Sequence, residues 1–113
     1  VPKIPSYKIS DVATAIAPTM TQKVVGIRPG EKLHEEMITA SDSYNTVDLG
    51  KYYAILPQKS PYSQYSKEDY KKAFNGVNVA NGFSYNSGNN SDWETIESLR
   101  ELVKIHVDPN FKA

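Results

Sequence analysis

Cysteine is absent from the 113 residues, which excludes disulfides and thiolate metal sites. An excess of one charge is also missing: 13 basic residues face 13 acidic ones, and the formal net charge is zero. Non-specific nucleic-acid binding draws on a basic surplus, so no nucleic-acid partner is expected. No apolar run approaches the ~20 residues of a membrane-spanning helix, so no membrane association is expected and a cytoplasmic location is. Val1-Pro2-Lys3-Ile4 has neither an initiator methionine nor a signal peptide's pattern, and a piece of a longer chain is expected. None of the six glycines stands in the Gly-x-Gly-x-x-Gly spacing of a dinucleotide site. Apolar residues make up 39%, which points to a thin core and to apolar surface reserved for a neighbour.

What is present reads as short elements. Val1 to Pro5, with two prolines, suits an edge strand or an extended lead-in. Ile9, Val12, Ala13 and Ile16 recur at helical spacing until Pro18, which predicts a helix over 10–17 with Ser10 as N-cap. The β-branched residues Val24, Val25 and Ile27 predict a strand over 21–28. Leu33 and Met37, four apart, predict a helix over 30–39, with Lys32 able to pair with Glu36. Stretches 46–49 and 52–56 around Gly50-Lys51 read as a hairpin.

Beyond Pro57 the chain is rich in Ser, Tyr, Gln and Lys and reads as a surface excursion, with a helical turn over 67–74. Asn, Gly and Ser make 82–90 irregular, and Phe83, Tyr85 and Trp93 are the aromatics expected to pin that loop. Ile96, Leu99, Leu102, Val103 and Val107 predict a helix over 95–107, capped by Thr95 and ended by Asp108-Pro109. Glu97 with Arg100 and Glu101 with Lys104 form favourable pairs along it.

Several chemical readings fail on their residues. His34-Glu35-Glu36-Met37-Ile38 lacks the second histidine of a zinc-protease motif, so no metal is expected. Glu35-Glu36 and Asp92-Glu94 are too close in sequence to face each other, and both read as solvated. Asn89-Asn90-Ser91 matches a glycosylation triplet that is common by chance. Tyr62 to Tyr70 with Lys67, Lys71 and Lys72 could stack on a single strand, but the net charge argues against it. His106 suits the C-terminal end of its helix, where a cation is favoured.

One stretch carries a sharper signal. In Val24-Val25-Gly26-Ile27-Arg28-Pro29-Gly30-Glu31-Lys32-Leu33-His34-Glu35, an apolar run ends in an arginine, a Pro-Gly corner follows, and a glutamate comes next. Guanidinium offers a fixed fork of donors to an anion, and a carboxylate accepts from two vicinal hydroxyls. The same spacing also suits a plain surface ion pair.

Ile-Arg-Pro-Gly-Glu-Lys-Leu-His-Glu resembles the C-terminal signature of inverting UDP-N-acetylglucosamine 4,6-dehydratases, extended short-chain dehydrogenase/reductase proteins of bacterial polysaccharide biosynthesis. The lead-in Val-Pro-Lys-Ile-Pro-Ser, the segment Gly82-Phe83-Ser84-Tyr85, Trp93 and the last helix extend the resemblance, although Tyr7 and Tyr44 stand where the family has methionine and arginine. The resemblance implies an α+β fold: the C-terminal, substrate-binding part of an extended Rossmann-type protein, built of short strands with three helices. It implies that residues 1–113 form a nucleotide-sugar-binding region, with the dinucleotide-binding domain elsewhere.

By the same resemblance Arg28 binds the diphosphate and Glu31 the ribose hydroxyls of UDP-N-acetylglucosamine. No role follows for Lys32 or His34, and Lys3 is a weak candidate to face the ligand. The parent, a homo-oligomer, would use NADP to oxidise C4 transiently, eliminate water across C5 and C6 and invert C5, on the way to pseudaminic acid. No tyrosine here has a lysine four residues on, so the superfamily's catalytic pair is missing; no residue of this segment is assigned as catalytic or cofactor-binding, and the segment alone is expected to be inactive. The alternatives are a capsular dehydratase/epimerase piece, a stand-alone nucleotide-sugar-binding module, and a non-catalytic protein-interaction domain contacting its partner through the Tyr-rich stretch.

Overall fold

The computed structural model describes residues 1–57 and 66–113; most of the Tyr-rich stretch between Pro57 and Tyr70 lies outside the described residues. The chain divides into two compact units: Val1–Ile4 with His34–Asn89, and Pro5–Leu33 with Asn90–Ala113. The described elements make a small α+β fold with three α-helices and short antiparallel strands.

In the first unit, β1 (Glu36–Ile38) is followed by a 3-10 turn at Asp42–Asn45, β2 (Thr46–Asp48) and β3 (Tyr53–Ile55). β2 and β3 form the expected hairpin, with Thr46 opposite Ile55 and Asp48 opposite Tyr53. A helix, Lys67–Phe74, leads to β4 (Val77–Asn78), which pairs with the other edge of β2. β5 (Tyr85–Asn86) pairs antiparallel with β1, with a register irregularity between Glu36 and Ile38. The first residues lie alongside the hairpin: Tyr53 N–H donates to Val1 O at 2.8 Å, and Lys3 N–H to Lys51 O at 3.2 Å.

Among the described residues, Ile38, Val47 and Tyr85 are the buried apolar ones of this unit. Tyr85 is fixed at both ends. Its ring lies 5.3 Å from Tyr53, and its hydroxyl accepts from Ile4 N–H at 2.8 Å and donates to Ile4 O at 2.7 Å. Phe83 packs against the same Tyr53 with its ring tilted by 47° at 5.1 Å, so both aromatics do pin the Gly/Asn/Ser-rich loop. The buried hydroxyls are satisfied, as burial demands. Thr46 Oγ1 donates to Asp42 O at 2.8 Å; Ser43 Oγ donates to Ala40 O at 2.6 Å and accepts from Gly82 N–H at 2.9 Å.

The second unit holds α1 (Ile9–Ile16) and the last helix, Ile96–His106, here α3; Lys67–Phe74 is α2. Val12, Ala15 and Ile16 of α1 line an apolar groove with Leu99, Leu102 and Val103 of α3. α3 opens on a capping box in which Thr95 Oγ1 accepts from Ser98 N–H at 3.1 Å and Thr95 N–H donates to Ser98 Oγ at 2.8 Å. Trp93 pins its own stretch through Nε1, which donates to Asn90 O at 2.7 Å.

The structure corrects five expectations. No strand forms over 21–28: these residues join no ladder among the described residues, and Gly26 at φ +89° breaks the extended conformation. A strand needs a partner to take its N–H and C=O groups, and the described residues offer none. No helix forms over 30–39. The periodic pair is exposed, Leu33 at 78% and Met37 at 45%, while the fully buried Ile38 anchors β1 instead. Lys32 and Glu36 form no ion pair among the described residues.

Ser10 lies inside α1, whose N-cap is Lys8 without a side-chain bond. Arg100 turns away from Glu97: Nε donates to Ala15 O at 3.1 Å and a terminal nitrogen reaches Thr14 O at 3.5 Å. It thereby caps the last carbonyls of a helix that has no basic residue in its own final turn.

Two measurements test the packing of the first unit. A Cβ at Gly76 would drive into Val47 Cγ1 and stand 2.8 Å from Leu49 Cδ2. Gly76→Ala is therefore expected to cost about 1–3 kcal/mol of stability in chemical denaturation, as overpacking does. The second concerns Lys3, whose ammonium donates to both Asp48 oxygens at 2.7 and 2.8 Å and lies 4.4 Å from the Tyr53 ring centroid. Partial burial is the largest single influence on the Asp48 carboxyl and pushes it up, but the Lys3 bond, the Gly50 N–H and the Lys3 charge outweigh it, and the net shift is downward. The bond to Asp48 raises Lys3. A lowered acid stabilises above its unfolded value of 3.8 and loses that contribution as pH falls through its folded value. A raised base stabilises below 10.5 and loses it as pH rises through its folded value. With both side chains about a third exposed, Asp48→Asn is expected to cost at most about 1 kcal/mol at neutral pH. The gap to the wild type should narrow progressively in denaturation as pH is lowered below 3.8.

Candidate functional site

Residues 18–37 are exposed throughout. Within that exposed stretch, ahead of β1, lies a closed turn. Arg28-Pro29-Gly30-Glu31 forms a β-turn closed by Glu31 N–H donating to Arg28 O at 3.1 Å. Proline presets the first corner, and Gly30 at φ +85° supplies the left-handed second corner of a type II turn. This turn brings the two end side chains together.

Arg28 and Glu31 are brought into direct contact. Arg28 Nε donates to Glu31 Oε1 at 2.7 Å, and Nη2 lies 2.7 Å from the same oxygen. The other carboxylate oxygen, Oε2, accepts from the Arg28 backbone N–H at 2.8 Å. The backbone bond first, and the guanidinium second, hold the Glu31 carboxyl below its ordinary value. The arginine side chain is 84% exposed and the glutamate 40%, so the pair stands open to solvent. Chemically it is a planar cation and an anion presented side by side at a rigid corner.

The other residues singled out go elsewhere. Lys3 is committed to Asp48 and Tyr53. Lys32 is exposed. His34 belongs to the first unit: its ring packs against Gly88, and Nδ1 is 3.5 Å from Ser87 Oγ. Ser87 also takes the Glu35 N–H on its hydroxyl at 3.1 Å and donates its own N–H to Glu35 O at 2.9 Å. Ser87 and Gly88 thus hold the end of the signature, a role that no local pattern announces. His106 lines the α1–α3 groove. Asn89 of the glycosylation triplet spends its amide on Ser84 O at 3.0 Å and Ser84 Oγ at 3.1 Å. Among the described residues no group of three His, Asp or Glu side chains could hold a metal ion.

A family model described as polysaccharide biosynthesis protein matches residues 1–57, a span that includes the Arg28–Glu31 turn. The chain belongs to that family. It is 44% identical over 108 residues to a UDP-N-acetylglucosamine 4,6-dehydratase (inverting) of Campylobacter jejuni subsp. jejuni serotype O:2, with 91% of this chain and 31% of that protein covered. A protein of the same name from serotype O:23/36 is 42% identical over 104 residues, with the same two coverages, 91% and 31%. A Methanocaldococcus jannaschii protein described as an uncharacterized membrane protein is 30% identical over 66 residues, covering 49% of this chain and 20% of that protein. No helix among the described residues of this chain is long and apolar enough to cross a membrane. The chain spans 31% of the length of the two C. jejuni relatives.

The ion pair makes a titration testable. Glu31 should protonate below 4.5 by carboxyl-detected NMR. In Arg28→Ala its value should rise only part of the way, because the larger influence, the backbone N–H, survives the substitution.

Proposed function

We propose that residues 1–113 are the C-terminal, nucleotide-sugar-binding region of an NADP-dependent inverting UDP-N-acetylglucosamine 4,6-dehydratase, with a Rossmann-type domain contributed by another part of the longer protein. Arg28 holds the diphosphate and Glu31 the ribose hydroxyls. The observation that carries this reading is the Pro29–Gly30 turn, which sets a guanidinium and a carboxylate side by side and open to solvent. The family match over residues 1–57 and the names of the two C. jejuni relatives support the substrate class.

The residues present do not fit the cofactor: they carry neither a glycine-rich dinucleotide fingerprint nor a tyrosine four residues before a lysine. No chemical step is therefore assigned to them, and the segment alone is inactive. Its contribution is binding energy remote from the sugar ring, which keeps the reacting carbons in place while the longer protein, a soluble homo-oligomer, eliminates water. In this reading the product feeds the pseudaminic acid branch of surface-sugar biosynthesis, with the capsular branch as the alternative.

Calorimetry on the full-length protein tests the assignment. Arg28→Ala should weaken UDP about tenfold or more, the scale of one charged hydrogen bond, and uridine hardly at all. Equal losses for UDP and uridine would remove the diphosphate role.

A further inference from the structure

The Arg28–Glu31 turn has a consequence that a mere juxtaposition of two ligand-binding groups would not have. Glu31 Oε1 sits against both Nε and Nη2 of Arg28, one of the two bidentate edges that a phosphate could use, while Oε2 is held by the Arg28 N–H. The carboxylate therefore occupies one of the two edges of the guanidinium that could fork onto a diphosphate. Both groups sit on one turn whose backbone is set by Pro29 and by Gly30 at φ +85°, so their encounter needs no movement of any other element.

We infer that Glu31 is a specificity-determining residue: it acts as a built-in competitor that masks Arg28 against anions lacking a ribose. This rests on the nucleotide-sugar reading given above. A bare anion such as inorganic pyrophosphate either displaces the carboxylate from this edge or takes the other edge, and in both cases meets its negative charge. A ribosyl diphosphate displaces it too, but offers it two vicinal hydroxyls as new donors. The pair thus discriminates by exchange: only a ligand that satisfies both the cation and the anion recovers the interaction that it breaks. Removing an unfavourable alternative in this way is how sites gain specificity beyond raw affinity.

The magnitude follows from the exposure of the pair. Solvated ion pairs are worth little, and a nearby like charge in water adds a repulsion of similar size. Removing the carboxylate charge should therefore strengthen a bare anion about three- to tenfold, not by orders of magnitude.

The test uses the full-length protein and two probes, inorganic pyrophosphate and UDP, measured by calorimetry at low ionic strength. In Glu31→Gln, pyrophosphate should bind about three- to tenfold more tightly and UDP more weakly. Glu31→Ala, which also gives up the bond to the Arg28 N–H, should move both ligands in the same directions. Pyrophosphate binding that is unchanged or weaker in both variants would overturn the masking role, since a residue that only positions Arg28 would weaken both ligands on removal. Arg28→Ala separates the masking role from the nucleotide-sugar reading on which it rests. If it weakens both probes, the nucleotide-sugar reading stands whatever Glu31 does. If it leaves both unchanged, that reading and the masking role fall together.

Discussion

Apolar burial is scarce in this chain, and the scarcity shapes what its residues do. The buried apolar residues among those described are Ala15, Ile38, Val47 and Tyr85. Small cores of this kind contribute little stability by themselves. Hydrogen bonds to buried polar groups then carry much of the geometry. Tyr85 ties the Gly/Asn/Ser-rich loop to Ile4 through both an accepted and a donated bond. Thr46 locks the 3-10 turn to the start of β2, and Ser43 ties that turn back to Ala40. Each of these ties joins residues distant in sequence or closes a turn that lacks apolar anchors.

The same scarcity leaves residues 18–37 in solvent, including Val24 at 93% and Val25 at 85% exposure. Residues so apolar and so β-branched would gain from a sheet, but a sheet needs a second strand. Against this open background the Arg28–Glu31 corner is self-sufficient. Proline and glycine set its backbone, one backbone bond closes it, and the two side chains satisfy each other. A corner that depends on four consecutive residues can hold its shape without a core beneath it. That independence is also what lets the carboxylate sit on two of the guanidinium donors.

Where the residues encode structure locally, sequence reading and structure agree. The capping Thr95, the apolar spacing of Ile96 to Val103 and the stop at Asp108-Pro109 produce a helix with one residue's difference at each end. The hairpin around Gly50 pairs as its alternating strands require. Leu33 and Met37 misled because two residues at helical spacing make a weak period, and the neighbouring Ile38 had a better place opposite Tyr85. Arg100 misled because a local partner, Glu97, competes poorly with the open carbonyls at the end of α1.

By itself the sequence determined the Pro29–Gly30 corner and its charged ends, the capped last helix, the hairpin and the family, because each rests on residues within a few positions of one another. Only the tertiary structure decided that Glu36–Ile38 is a strand, that Tyr85 reaches Ile4, that Arg100 caps α1 and that Ser87 holds Glu35 and His34. Those outcomes turn on which distant donor, acceptor or apolar face is free to be met, and spacing along a chain carries no record of that.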